Sequence, residues 1–169
     1  KAFIALIDSM ANIERLLLLI EKIKDVTGLI KLLTSADDVA RIIEALLAVG
    51  KADELLSILT KADDIGRVLA LIEKGIVAGH AESLITIMGK AKELVKLITI
   101  LERSGDDIGR LIRVLNKATD LDKMIIAMER VGASNLGRLI TLIETADDTA
   151  ALLRIVTKAA DFATLLRIV

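Results

Sequence analysis

A chain of 169 residues carrying 23 basic and 24 acidic side chains can bury one good core and is too short for several domains. So even a charge balance gives no pull toward nucleic acid or an anionic membrane. The lack of cysteine excludes disulfides, thiolate metal sites and thiol nucleophiles.

Apolar residues make up 54% of the chain and aromatics only 1%, so the core must come from Leu, Ile, Val, Ala and Met. The segment from Ser35 to Leu46 sets the pattern. Val39, Ile42, Ile43 and Leu46 form one apolar stripe on a short amphipathic helix. The stripe recurs in chain order from anchors at Phe3, Ile13, Val26, Val39, Leu55, Ile65 and Leu84. It continues from Leu94, Ile108, Leu121, Leu136, Thr149 and Phe162, which predicts about twelve or thirteen short helices.

Every second anchor from Ile13 falls at 13, 39, 65, 94, 121 and 149, a spacing of about 27 residues. A repeat of that size, made of two antiparallel helices, cannot bury its own apolar face and must pack on its neighbours. The expectation is a single all-α helical-repeat domain over 1–169, wound as a right-handed α-solenoid or closed into a globule. Despite a positive mean hydropathy, no membrane span is expected. The densest apolar run, Leu16 to Ile20, is bracketed by Arg15 and Glu21, whereas a spanning helix needs about 20 apolar residues. No secretory leader is expected, because the first residues already read as helix.

The junctions carry helix punctuation without proline. Ser35-x-x-Asp38, Ser104-x-x-Asp107 and Thr145-x-x-Asp148 read as acidic capping boxes. Gly50, Gly79, Gly105 and Gly132 stand where left-handed C-caps are expected. Between Gly75 and His80 the spacing predicts a helix extended through Val77 or an extra turn. Gly66, Gly109 and Gly137 each follow an anchor and precede an arginine. Because a mid-helix glycine costs about 1 kcal/mol, their shared register, also filled by Ala40, Ala150 and Ala163, predicts close helix approach.

No catalytic, cofactor-binding or metal-ligating residue is expected. The Asp pairs at 37–38, 63–64, 106–107 and 147–148 lack the alternation of a calcium loop and suit helix N-termini. His80 is the sole histidine and is expected at an exposed turn, with no nucleophile to activate. Arg15, Arg41, Arg67, Arg110 and Arg138 fall two residues after anchors and could line one face as a basic ribbon of the kind that reads RNA by repeats. The scarcity of aromatics for base stacking, and acids such as Glu44, Glu73, Glu129 and Glu144 on the same helices, point to mixed-charge solvent faces. On that reading Arg41 and Glu44, like Arg138 and Glu144, belong to such faces. Met10, Met88, Met124 and Met128 lie on the stripe as core filling.

With no Pro, Cys, Trp or Tyr and one stripe repeated thirteen times, the whole chain resembles a de novo designed helical-repeat protein. The degenerate helical repeats of large bacterial surface and toxin proteins look similar. The resemblance to a designed protein implies a structural scaffold without enzymatic activity, cofactor or obligate partner. The alternative is a repeat module whose concave face holds a peptide or partner helix. The terminal helices, apolar at Phe3, Ile4, Leu6 and Ile7 and again up to Val169, lack the polar face of a capping repeat, so self-association through them is an expectation.

Overall fold

Val39 opens a helix, because the Asp38 carboxylate accepts the Arg41 backbone N–H at 3.3 Å. That side-chain bond occupies one of the first-turn N–H groups that a helix leaves without a partner. The computed structural model describes residues 10–36 and 38–158. Among them it is all-α, with eleven helices and no strand.

These are α1 (Met10–Lys22), α2 (Val26–Ser35), α3 (Val39–Ala48), α4 (Ala52–Leu59), α5 (Ile65–Val77) and α6 (Ala81–Lys90). There follow α7 (Leu94–Arg103), a 3-10 turn (Gly105–Asp107), α8 (Ile108–Lys117), α9 (Leu121–Val131), α10 (Ala133–Thr145) and α11 (Thr149–Lys158). Every anchor from Ile13 to Thr149 lies in its own helix. The helices anchored at Phe3 and Phe162, with the apolar termini expected to self-associate, fall outside the described residues.

The chain divides at Gly89 and Lys90 into two compact units. In the first, α1 packs on α3 and α3 on α5, while α2 packs on α4. In the second, α7 packs on α9 and α9 on α11, while α8 packs on α10. Sequential neighbours close the layers at α3–α4, α7–α8 and α9–α10. Alternate helices therefore share a layer within each unit, and the core lies between the layers. Its side chains are aliphatic: Ile42, Leu46, Leu55, Leu69, Ile72 and Leu84 in the first unit are at most 1% exposed. Each such burial contributes on the order of 1.5–3 kcal/mol.

The stripe departs from expectation at its edges. In α1 the buried residue is Leu19, and Leu17 and Ile20 are exposed. Ile23, just after the helix, is buried with Leu19. In α2, Ile30 is exposed and Leu32 is buried in its place. Met88, Met124 and Met128 are core residues.

Between α5 and α6 the helix does run on through Val77. It ends in a Schellman turn: Gly79 N–H donates to Ile76 O and His80 N–H to Gly75 O, at 3.1 and 2.8 Å. Gly79 adopts φ +70° there, a conformation that costs other residues steric strain. Gly105 and Gly132 also have positive φ. Gly50 does not: it sits in an ordinary bend, and a side chain there would meet the Glu82 carboxylate.

Candidate functional site

The helix starts explain five of the aspartates. Asp25, Asp38, Asp64, Asp120 and Asp148 each stand one residue before a helix. Each carboxylate accepts the N–H three residues on, from Gly28, Arg41, Arg67, Lys123 and Ala151. The capping boxes are thereby corrected. Ser35 and Thr145 are the last residues of α2 and α10, and their hydroxyls donate backward to Lys31 O and Thr141 O at 2.9 and 3.0 Å. Ser104 likewise donates to Leu101 O. The cap is the aspartate itself, because an Asp placed directly before the anchor reaches the first turn unaided. Asp107 is the exception: its carboxylate lies 3.4 Å from the Arg110 guanidinium instead.

Three of the arginines two residues after anchors, Arg15, Arg41 and Arg110, are taken up by glutamates on the second-neighbour helix. Arg15 of α1 meets Glu44 of α3 at 3.2 Å. Arg41 of α3 grips Glu73 of α5 with two nitrogens. In the second unit Lys96 of α7 pairs with Glu129 of α9 at 3.2 Å. Arg110 of α8 pairs with Glu144 of α10 at 2.5 Å and donates to Thr141 at 3.0 Å. The mixed-charge faces exist, and these ion pairs run between helices rather than along one. Glu44 and Glu144 are each committed to a different helix.

These pairs shift the titrations in the directions charge demands. Hydrogen bonding to Arg41 holds Glu73 below the ordinary carboxylate range, and Arg41 is raised in turn. Arg110 does the same to Glu144, with help from the charges of Arg113 and Lys117. The side chain and N–H of Lys123 lower Asp120.

A second set of contacts also runs between alternate helices. The N–H of Lys24, two residues before α2, donates to Asp53, the second residue of α4, at 2.8 Å. The N–H of Lys92, two residues before α7, donates to Asp122, the second residue of α9, at 3.3 Å. At the opposite helix ends, Lys22 reaches Leu47 O and Val49 O at 3.0 and 2.6 Å, and Arg130 reaches Thr157 O. Both cations lie where the last carbonyls of a helix carry partial negative charge.

Two of the register-linked glycines, Gly66 and Gly137, do not mark close helix approach. Gly66 is exposed, and a Cβ there would meet only the Asp64 carboxylate at 3.3 Å; one at Gly137 would meet Asp107 at 3.4 Å. Ala40 and Ala150 are exposed as well. The close approach is at Gly75, where a Cβ would lie 3.2 Å from both Ala81 Cα and Leu84 Cδ2. Its spacing, nine residues before the Leu84 anchor, gave no sign of it.

Two open grooves lie at helix junctions. One, of about 370 Å³ in the first unit, is floored by Ile42 and Leu69 and rimmed by Asp38, Asp63, Asp64 and Arg41. The other, of about 420 Å³ in the second unit, is floored by Val114, Met124, Ile143 and Leu153 and rimmed by Arg113, Lys117 and Glu144. They are equivalent in register. Ala36, Ile42, Ile65 and Leu69 stand in the first as Ala118, Met124, Thr149 and Leu153 stand in the second, each at the same distance from its anchor.

His80 is half-buried at the start of α6, where its carbonyl accepts the Leu84 N–H at 3.0 Å. Among the described residues no group of three or more acids and histidines is placed to hold a metal ion. No described helix is long and apolar enough to cross a membrane. No protein-family model, curated protein or solved structure matches the chain.

Proposed function

We propose that the chain is a helical-repeat scaffold, built from two-helix repeats of about 27 residues, that acts through its form and carries no enzymatic activity. The observation that supports this reading is the recurrence of one set of contacts between alternate helices in both units. Arg41 to Glu73, Lys96 to Glu129 and Arg110 to Glu144 all join a cation two residues after one anchor to an acid eight residues after the next-but-one. The N–H groups of Lys24 and Lys92, each two residues before an anchor, likewise donate to an aspartate at the second position of the next-but-one helix, Asp53 and Asp122. Such periodic packing is how repeat arrays bury faces that single hairpins cannot. It also supports a designed origin, since each level of the sequence repeats the same instruction.

Internal duplication tests the repeat reading. Inserting a second copy of residues 39–64 directly after Asp64 places each new helix against the same kind of neighbour. The lengthened chain is expected to keep its ellipticity per residue and its cooperative melt. Loss of helicity or of soluble expression would overturn the repeat.

A further inference from the structure

We infer that the groove of the second unit is a binding site for a small amphiphilic carboxylate, whose chain lies on Val114, Met124, Ile143 and Leu153 and whose head meets Arg113 and Lys117. Three observations carry this. The floor is apolar and incompletely covered: Val114 and Ile143, at 6% and 8% exposed, are among the least buried members of an otherwise tightly closed core. A volume of about 420 Å³ falls in the range of small-molecule sites, which join apolar walls to a few placed polar groups.

The rim charge is the second observation. Arg113 and Lys117 stand one turn apart on α8, and neither has an ion pair among the described residues. Glu144 is the acid on this rim, and Arg110 already holds it at 2.5 Å. Asp148 is engaged by the Ala151 N–H. The rim therefore sets two cations against one acid, whose charge they share with Arg110, beside an apolar floor, an arrangement complementary to a carboxylate with a hydrocarbon tail.

The third observation is an internal comparison. The register-equivalent groove of the first unit keeps an apolar floor at Ile42 and Leu69 but has a rim of Asp38, Asp63 and Asp64 around a single Arg41. Arg41 is itself committed to Glu73. The two grooves share their origin in the fold and differ in the sign of their charge.

The test is a methyl-detected NMR titration of the full chain with octanoate, and with octanol as the uncharged control. Octanoate is expected to shift the Met124 and Leu153 methyls saturably and to leave Ile42 and Leu69 in place. The double variant Arg113→Gln/Lys117→Gln is expected to weaken binding about tenfold, and Arg113→Lys/Lys117→Arg, which keeps both charges, to retain it. Both positions are solvent-exposed, so far-ultraviolet circular dichroism should be unchanged in each variant. Equal affinity for octanol would overturn the proposal, as would equal shifts in the two grooves. So would the absence of saturation by about 10 mM, a weak limit for a ligand of this size.

Discussion

Arg41 and Glu73, 32 residues apart, meet as a fork across the α3–α5 interface: Nη2 donates to Oε2 at 2.7 Å while Nε donates to Oε1. A planar guanidinium against a carboxylate fixes geometry as well as charge. The pair therefore pins the lateral register of two helices whose other contacts are slippery aliphatic ones. Its side chains are 33% and 46% exposed, so solvent screens most of the Coulomb gain.

The titration of this pair gives the first prediction. Folding lowers the Glu73 pKa below its ordinary 4.5. Its contribution is therefore full above that value and disappears as pH falls through the lower, folded value. The raised Arg41 pKa matters only under strongly alkaline conditions. Glu73→Gln is expected to cost no more than about 0.5 kcal/mol at pH 7, after allowance for screening. It should also reduce the loss of stability on acidification below pH 4.5. Urea melts of the parent and variant between pH 7 and 3 measure this. Parallel stability curves down to pH 3 would show that the fork contributes nothing.

The fold class and eleven helix positions were legible in the sequence because one stripe, at helical spacing, recurs with an acid before most anchors. Three things were not legible, each for its own reason. The partners of Arg41 and Arg110 lie on the second-neighbour helix, and a period read along one helix looks first at residues three or four away. Once the packing of alternate helices is known, the pattern becomes visible: Glu73, Glu129 and Glu144 all stand eight residues after an anchor. The exposure of Leu17 and Ile20 in α1 was hidden for the opposite reason. Hydrophobicity alone marks a face as buriable without saying which neighbour is there to cover it. The grooves depend on where loops leave space, and no local pattern encodes that.

Glycine substitution separates the sequence reading from the packing. Gly66 has one near atom, a carboxylate oxygen at 3.3 Å, and faces solvent. Gly66→Leu is therefore expected to change stability by less than about 1 kcal/mol, the helix-propensity gain offsetting a small displacement of Asp64. Gly75 faces the backbone of Ala81 at 3.2 Å, and backbone cannot swing aside as a side chain does. Gly75→Leu should cost about 1–3 kcal/mol through overpacking. Thermal melts of the two variants against the parent decide the matter. Equal destabilisation would return the close approach to the Gly66 register.

The caps provide the remaining discrimination, between Ser35 and Asp38. If a serine-led box closed the start of α3, removing the Ser35 hydroxyl would expose the first-turn N–H groups. In the structure that hydroxyl points back into α2, onto Lys31 O and Leu32 O, where carbonyls already serve the helix. The Asp38 carboxylate instead takes the Arg41 N–H. Asp38→Ala is expected to cost roughly 0.5–2 kcal/mol, the usual range for losing an N-cap, and Ser35→Ala a few tenths at most. Chemical denaturation of both, with hydrogen exchange at the Arg41 amide, tests the assignment. Faster exchange in the Asp38 variant alone follows from the aspartate cap. Faster exchange in the Ser35 variant would show that the serine closes the helix after all.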